Sequence, residues 1–488
     1  MKFFENLEEL SQDPQIFKDY LASNLSKVYD YFELQKDSEL IAIKNDLRIY
    51  ISNNITFISE LEKNDNSLTF IALLLNACER LGLTSQFKQL YELLSNTDFV
   101  LGSRLKASAL YLVGINVIQQ HFERYDNFYG LLSQAYNEEE DGVNKLIATI
   151  VNYYVRLLVD FGRFNIEGVE RLREKLLTSA GEDPNSFLND NFIQEILNGN
   201  LDFKESPIEI NQKLEAFLNR EIILPPVNPE PLIEDSGDYI ELFKTTDKNF
   251  YSIKKISQDL YRHLQDDSIF YSLKRGVGIL TEELQLFAYM HSYGNMHYAK
   301  LITAFNSLPK TIFDETLNVI DWGCGQAMAT ITYFDYLNDN GYQTKSKYFT
   351  LIEPSEIALK RAAAHLKGYF TEIEINTINK TLDNLNEDDF TSSPNLPNLH
   401  LFSNIIDIEH ISLTKLLSLI DNTFKGLNYF VCVSPFIDDL RTSRLNAFMR
   451  HFSNYPEFEV LQNINSKKGE WQENPGWTRV IRVFKCVI

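Results

Sequence analysis

The chain has 488 residues, of which 44% are hydrophobic, and this is enough for two or three domains with large cores. Its formal net charge of −22 disfavours a protein that must neutralise the phosphates of a nucleic acid. Its four cysteines are scattered and form no CxxC pair, which argues against a disulfide scaffold and against a zinc site.

The first residues, MKFFENLEEL, are acidic and lack the apolar core of a secretory signal. The sequence also contains no run of about 18 uncharged apolar residues that could span a membrane. Scattered cysteines are typical of a reducing compartment. We therefore expect a cytoplasmic protein that is not inserted in a membrane.

Residues 1–221 predict one helix after another, because their apolar positions recur at spacings of three and four. A weak repeat has a period of 41 residues, on which Phe87, Phe128 and Val169 line up. Such a repeat indicates stacked helical hairpins of the solenoid kind, although a chance alignment of helical periods would give the same pattern. We expect an all-helical domain over residues 1–221, which can bind a protein partner.

A proline-rich segment follows this helical region. Four of the 14 prolines of the chain fall within residues 224–231. Proline fixes φ and removes a backbone donor, so neither a helix nor a sheet continues through this segment. We therefore predict a linker over residues 222–237 and a second domain over residues 238–488, which begins with a helical lead-in at residues 238–307.

From Leu317 onward the pattern changes to short apolar runs separated by helical stretches. Strands that alternate with helices predict a parallel sheet with helices on both faces. The loop between the last two runs is too short for a crossover helix, so these two strands should pair antiparallel. The predicted fold is an α/β domain with a seven-stranded, mostly parallel sheet, whose strands are residues 317–321, 348–353, 371–378, 398–404, 428–434, 458–461 and 478–488.

The most informative stretch is residues 319–327, which have the sequence VIDWGCGQA. Apolar residues lead into an acid and two closely spaced glycines, and a helix can follow at once. Gly323 and Gly325 have no Cβ, so a ligand can lie against the backbone while the first helical N–H groups point at it. Residues 349–354 form a second apolar run, which ends in Glu353. A glycine turn followed by a strand-end acid is typical of a nucleoside site, in which the acid binds the ribose hydroxyls.

The same residues disfavour other kinds of site. A nicotinamide dehydrogenase would carry GxGxxG, but the third glycine position is Met328. A phosphate-binding P-loop would carry GK[ST], which is absent. A catalytic thiolate at Cys324 is also disfavoured, because no histidine–aspartate partner for it is indicated.

Residues from about 240 to 488 resemble the class I S-adenosylmethionine-dependent methyltransferases, a family with a Rossmann-like domain. The first motif of that family matches Asp321, Gly323 and Gly325, and Ala327 replaces its third glycine. The resemblance implies that S-adenosylmethionine is the cofactor. It also implies that Asp321 meets the amino group of the cofactor and that Glu353 accepts the ribose hydroxyls.

Later strands extend this resemblance. The fourth-strand motif falls on residues 401–405, where Ser403 and Asn404 lie at the carboxyl end of the strand. The turn at residues 379–383 is placed to supply a slot for the adenine. The cofactor-binding residues that we predict are Asp321, Gly323, Cys324, Gly325, Gln326, Glu353, Pro354, Leu382, Ser403 and Asn404.

Residues 287–300, upstream of the first motif, are crowded with polar aromatic side chains. In families of this kind the segment before the first strand often lies over the cofactor and shapes the acceptor pocket. We name His291, His297 and Tyr293 as candidate catalytic residues, since a histidine there can take a proton from an oxygen or nitrogen acceptor. Ordinary helix residues with ordinary partners would give the same pattern. The two histidines are six positions apart, which does not place them on one helix face, so we expect no metal site.

The function that we predict is methyl transfer from S-adenosylmethionine. The fourth strand does not end in Asn-Pro-Pro-Tyr, which makes methylation of adenine or of glutamine amides less favoured, and a protein or small-molecule acceptor is slightly favoured. The alternative is a non-enzymatic regulatory protein with a degenerate methyltransferase fold, because the chain is also similar, more weakly, to the GRAS domain. Gly323 and Gly325 of the first methyltransferase motif are retained in this sequence, which favours a functional cofactor site.

Overall fold

The computed structural model describes residues 2–35, 37–138, 143–199, 202, 204–219, 238–262, 267–273, 278–343, 345–370, 372–390 and 396–488. The chain divides into two compact units. One unit comprises Met1–Ile223 and Asp438–Ser443, and the other comprises Leu224–Ile437 and Arg444–Ile488. The linker that we predict over residues 222–237 lies outside the described residues. Within the described ranges, none of the helices combines the length and apolar character that a membrane crossing needs.

The first unit is helical throughout its described part. Its helices begin where the sequence offers caps: Asp13 accepts hydrogen bonds from the N–H groups of Gln15 and Ile16, and Asn64 caps another helix in the same way. The helices are α1 (Lys2–Leu10), α2 (Pro14–Glu33), α3 (Asp37–Glu60), α4 (Asp65–Arg80), α5 (Thr84–Ser95), α6 (Ser103–Leu112), α7 (Gln119–Glu138), α8 (Val143–Phe161), α9 (Ile166–Glu182), α10 (Asn191–Leu197) and α11 (Ser206–Leu218).

Three successive helix pairs, α4–α5, α6–α7 and α8–α9, contain the residues that align at the 41-residue spacing in the sequence. Phe87, Phe128 and Val169 fall in the second helix of each pair, and all three side chains are buried. The aligned positions are therefore the ones that face the core of this unit.

The second unit begins with helices and continues with alternating strands and helices. The leading helices are α12 (Asp238–Lys244), α13 (Phe250–Arg262), α14 (Asp267–Ser272) and α15 (Glu283–Phe305). The remaining elements are β1 (Asn318–Trp322), α16 (Met328–Asp339), β2 (Tyr348–Ile352), α17 (Glu356–Tyr369), β3 (Glu374–Ile378), β4 (Asn398–Ser403), α18 (Leu413–Thr423), β5 (Leu427–Ser434), α19 (Asp439–His451), β6 (Glu459–Ser466) and β7 (Arg479–Val487).

These strands form one seven-stranded sheet in the order β3-β2-β1-β4-β5-β7-β6. Strand β7 runs antiparallel to both of its neighbours, and the other pairs are parallel. The predicted Rossmann-like, mostly parallel sheet with an antiparallel last pair is thus confirmed. Strand β6 is longer than the predicted residues 458–461. It lies at the edge of the sheet, where polar residues such as Gln462 and Asn463 need no burial, so the apolar pattern missed them.

The two faces of the sheet are covered by different kinds of side chain. Val319 and Leu401 belong to a largely aliphatic core that α15, α16 and α17 cover. On the opposite face the rings of Trp322 and Phe402 stack at 5.3 Å, and Phe448 of α19 packs edge-on against Phe402. Both faces are therefore buried, as a parallel sheet requires.

Strand β1 lies between β2 and β4, and this is the point where the strand order reverses. The chain leaves β1 toward one edge of the sheet and later returns to pair β4 on the other side of β1. In sheets of this type the reversal opens a crevice at the carboxyl ends of the strands. The glycine turn after Trp322 opens into that crevice.

Candidate functional site

The turn between β1 and α16 has an unusual backbone. Gly323, Gly325 and Ala327 have φ angles of 60°, 52° and 63°, all in the left-handed region. A Cβ added at Gly323 would collide with the side chain of Ile405, whereas one added at Gly325 would meet no heavy atom within 4 Å. Gly323 is therefore needed for packing, and Gly325 borders open space.

Hydrogen bonds from neighbouring elements hold this turn in place. Cys324 donates its N–H to the carbonyl of Ile352 at the end of β2, at 2.9 Å. The carbonyl of Gln326 lies 2.9 Å from His365 Nδ1 of α17, and the side-chain amide of Gln326 donates to the carbonyl of Leu286 at 2.9 Å. The turn is thus tied to β2, to α17 and to α15.

Glu353 stands directly after β2 and faces the turn. Its Oε2 accepts the N–H of Gly325 at 3.0 Å, and its Oε1 accepts the N–H of Ser355 at 2.9 Å. Burial raises the pKa of Glu353 to about 7, although the two backbone hydrogen bonds act in the opposite direction. A carboxylate has about four acceptor sites, so both oxygens can accept further hydrogen bonds from a ligand.

A cavity of about 400 Å³ opens at these carboxyl ends of the strands. This volume is typical of a site for a small organic ligand. Many of the residues that we predict as cofactor-binding line it, namely Gly323, Gly325, Gln326, Glu353, Pro354, Leu382, Ser403 and Asn404. The turn predicted to hold the adenine contributes Thr381, Leu382 and Asp383 to the same wall.

Asp321 and Cys324, the other two predicted residues, do not line the cavity, and both side chains are buried. Asp321 is buried, and its Oδ2 accepts hydrogen bonds from the N–H and the hydroxyl of Thr330 at 3.3 and 2.7 Å. Burial raises the pKa of Asp321 to about 7 and raises the pKa of the Cys324 thiol. In this arrangement Asp321 anchors the first turn of α16 to the end of β1.

One face of α15 packs against the end of β4. His297 Nδ1 lies 3.1 Å from Ser403 Oγ, and its Nε2 lies 2.8 Å from Asn404 Nδ2. Lys300 donates to Asn404 Oδ1 at 2.7 Å. Burial, together with the charge of Lys300, lowers the pKa of His297 well below its ordinary value, so the ring is neutral. His297 therefore contacts the cavity-lining residues Ser403, Asn404 and Tyr289, whose hydroxyl lies 3.5 Å from Nε2, without lining the cavity itself.

The other two candidate catalytic residues lie behind or beside the cavity wall, and the ring of Tyr293 lies 5.2 Å from that of the lining residue Tyr289. The ring of His291 lies 5.2 Å from that of Tyr261, and the ring of Tyr293 lies 6.2 Å from that of Phe270. Neither lines the cavity. Tyr289, one helical turn before Tyr293, does line it.

Sequence reasoning missed the loop that follows Asn404. Ile405, Ile408, His410 and Ile411 all line the cavity. The sequence pattern could have indicated this loop. Because β4 is parallel to β1, the loop after β4 must start at the same edge of the sheet as the glycine turn. The isoleucines recur at three-residue spacing, a pattern that is compatible with an apolar cavity lining as well as with a helix.

Within the described part of the chain, no group of three or more histidine, cysteine or acidic side chains could hold a metal ion. A second cavity of about 440 Å³ lies within the first unit. Its charged residues are largely paired within the protein: Lys145 with Glu33 at 2.6 Å, and Glu79 with Arg104. The cavity at the sheet, with its acid of raised pKa, is the better candidate for chemistry.

Solved methyltransferase structures are similar to part of this chain. A plantazolicin methyltransferase in complex with SAH is 12% identical, with a TM-score of 0.29 over 47% of this chain and 99% of its own. A geranyl diphosphate methyltransferase in complex with GPP and sinefungin is 8% identical, with a TM-score of 0.27 over 48% and 99%. A putative class I S-adenosylmethionine-dependent methyltransferase from Listeria monocytogenes is 11% identical, with a TM-score of 0.30 over 73% and 89%.

TM-scores this far below 0.5 carry no argument about fold or activity, so both rest on the strand order and the site residues of this chain. No protein-family model matches the chain, and no curated protein matches it. The weaker resemblance to GRAS domains gains no support from these matches and stays a prediction from the sequence.

Proposed function

We propose that the second unit binds S-adenosylmethionine and transfers its methyl group to an acceptor. The observation that carries this proposal is the position of Glu353. Its carboxylate is held at the cavity by the N–H groups of Gly325 and Ser355, and it keeps lone pairs for two further donors. Two adjacent hydroxyls on a ribose are donors of that kind.

The residues around the cavity fit the rest of such a nucleoside. Gly325 presents backbone to open space, so the amino-acid end of the ligand can lie against the turn. Leu382 and Ile405 offer apolar surface for a planar base, and Asp383 offers a polar edge. S-adenosylmethionine would supply a methyl group on a positively charged sulfur. A site that carries buried acids suits a ligand with that charge.

The chain itself needs to orient the reacting groups more than it needs to move protons. Methyl transfer from a sulfonium is an in-line displacement, and its rate depends mainly on alignment and on the exclusion of water. Ile405, Ile408 and Ile411 line the wall beside β4 and can exclude water there. Because Glu353 fixes the ribose toward β2, the acceptor should approach from the side of β4.

A transfer assay tests the activity and the class of acceptor together. The intact protein is incubated with S-adenosylmethionine that carries a radiolabelled methyl group and with fractionated cell lysate. We expect label in one class of fraction, and loss of that label with Glu353→Ala. Glu356→Ala is the matched control, because that acid pairs with Lys360 on the surface.

Calorimetry with S-adenosylhomocysteine completes the test. Glu353→Ala should bind about 100-fold more weakly than the wild type, since two charge-assisted hydrogen bonds are lost. Binding without transfer to any fraction would favour a regulatory protein that senses the nucleoside. An intact protein that binds neither S-adenosylmethionine nor S-adenosylhomocysteine would overturn the proposed function.

A further inference from the structure

A chain of four side chains runs from α15 to the end of β4. Lys300 Nζ lies 2.7 Å from Asn404 Oδ1, Asn404 Nδ2 lies 2.8 Å from His297 Nε2, and His297 Nδ1 lies 3.1 Å from Ser403 Oγ. Lys300 and His297 are 0% and 3% exposed, whereas Ser403 is partly exposed and lines the cavity. This series of hydrogen bonds thus starts at a buried amine and ends at a hydroxyl that a ligand can reach.

The chemistry of each atom fixes the direction of these hydrogen bonds. Lys300 can only donate to the carbonyl oxygen of Asn404, so the amide nitrogen of Asn404 faces His297 and donates to Nε2. Nε2 therefore carries no proton. Because the ring is neutral, its single proton is on Nδ1, and Nδ1 donates to Ser403 Oγ.

One consequence concerns the hydroxyl of Ser403. Its oxygen already accepts from His297, so its proton is left to donate into the cavity. Hydrogen bonds that point the same way polarise one another, and the charge of Lys300 at the far end strengthens the last donor. We propose that Ser403 is a fixed donor that recognises a carboxylate of the ligand, and that His297, Asn404 and Lys300 are positioning residues that aim it.

This role for Ser403 rests on the proposed nucleoside site. Glu353 takes the ribose at the end of β2, and Ser403 lies across β1 from it, at the end of β4. The carboxylate that reaches Ser403 can therefore belong to the amino-acid end of S-adenosylmethionine or to the methyl acceptor. His297 has both ring nitrogens engaged, which gives it a positioning role in place of the proton acceptor that the sequence suggested.

Binding measurements on Ser403→Ala distinguish the two sources. S-adenosylhomocysteine carries the amino-acid carboxylate, and 5′-methylthioadenosine keeps the nucleoside but lacks that carboxylate. If Ser403 meets the nucleoside ligand, the variant should bind S-adenosylhomocysteine about tenfold more weakly, with unchanged affinity for 5′-methylthioadenosine. If Ser403 meets the acceptor, both affinities should stay and the KM of the acceptor should rise about tenfold.

Ser292→Ala is the matched control, because Ser292 is exposed on α15, and it should behave as the wild type in every assay. Wild-type affinities and an unchanged acceptor KM for Ser403→Ala would overturn the role of Ser403. Failure of the unmodified protein to bind either nucleoside would instead overturn the proposed function, and these two failures are distinct.

Nitrogen NMR of the ligand-free protein tests the donor–acceptor direction of these hydrogen bonds. Among the eight histidines, the signals of His297 are identified by their loss in His297→Asn. We expect a neutral ring with the proton on Nδ1 and a bare Nε2. His297→Asn keeps an N–H close to the position of Nδ1 and should retain most of the affinity for S-adenosylhomocysteine or for the acceptor, whereas His297→Leu should lose about tenfold. A proton on Nε2, or equal affinities for these two variants, would contradict the assignment.

Discussion

The amino and carboxyl ends of the central strands differ in how their polar side chains are hydrogen-bonded. At the amino end, Asn318, Asn398 and Asn428 form a ladder across β1, β4 and β5. Hydrogen bonds of 2.9 and 3.0 Å join their side-chain amides. His400, in the middle of β4, extends this ladder: it donates to Asn428 Oδ1 at 3.0 Å and accepts from the indole N–H of Trp322, the last residue of β1, at 3.2 Å. All of these groups are buried and bond to one another.

At the carboxyl end, the polar groups instead face a cavity. The carboxylate of Glu353 accepts hydrogen bonds from two backbone N–H groups, and Ser403 ends a chain of donors at the cavity wall. A closed network stabilises the fold, whereas an open one gains its remaining partners from a ligand. The difference teaches that burial and polarity alone do not mark a site, and that the direction and completeness of the hydrogen bonds do.

The largest expected effect is a loss of stability on substitution in the asparagine ladder at the amino end of the strands. Asn428 Nδ2 donates to the carbonyls of Phe424 and Gly426, and its Oδ1 accepts from Asn398 and His400. We expect Asn428→Ala to lower the free energy of unfolding of the second unit by about 3 kcal/mol, because this buried side chain loses four hydrogen bonds. Urea unfolding followed by tryptophan fluorescence measures this unit alone, since Trp322, Trp471 and Trp477 all lie in it.

Asn422→Ala is the control for that experiment, because Asn422 is exposed and its side chain donates to Glu387 on the surface. Folded Asn428→Ala should still bind S-adenosylhomocysteine as the wild type does. A large loss of affinity with little loss of stability would contradict the division of roles between the two ends.

A smaller effect should appear in the pH dependence of ligand binding. Burial raises the pKa of Glu353 to about 7, and the ribose hydroxyls need its deprotonated form as acceptor. The dissociation constant of S-adenosylhomocysteine should therefore rise about tenfold as the pH falls from about 8 to about 6. Calorimetry across this range measures it.

Glu353→Gln cannot titrate, so its weaker binding should vary much less with pH over the same range. A dissociation constant of the wild type that stays constant with pH, or a variant that retains the full dependence, would show that Glu353 does not meet the ligand.

The smallest effect should come from Asp321, which the sequence placed against the amino group of the cofactor. In the structure its Oδ2 bonds to Thr330, and asparagine can keep an oxygen acceptor there. We expect Asp321→Asn to change the affinity for S-adenosylhomocysteine by less than about threefold. A loss as large as that of Glu353→Ala would mean that Asp321 reaches the ligand after all.

The strands, the glycine turn and Glu353 could be predicted because each rests on a local pattern. An apolar run precedes the glycine pair directly, another precedes the strand-end acid, and parallel pairing of the strands follows from their alternation with helices. The glycine turn therefore follows β1 and Glu353 follows β2, close to the predicted strand ends.

Contacts between distant parts of the chain could not be predicted in this way. His297 meets Ser403 more than 100 residues later, and no periodicity encodes that pairing. Gly278, Ile279 and Leu280 line the cavity from a stretch with no motif at all. The grouping of Asp438–Ser443 with the first unit likewise has no local signal.

Hydrogen exchange with and without saturating S-adenosylhomocysteine tests most directly whether the carboxyl end of the sheet holds the nucleoside. We predict slower exchange in peptides that contain Gly325, Ser355 and Asn404, and unchanged exchange in the helices of the first unit. Protection confined to the first unit, or no protection anywhere, would contradict the account.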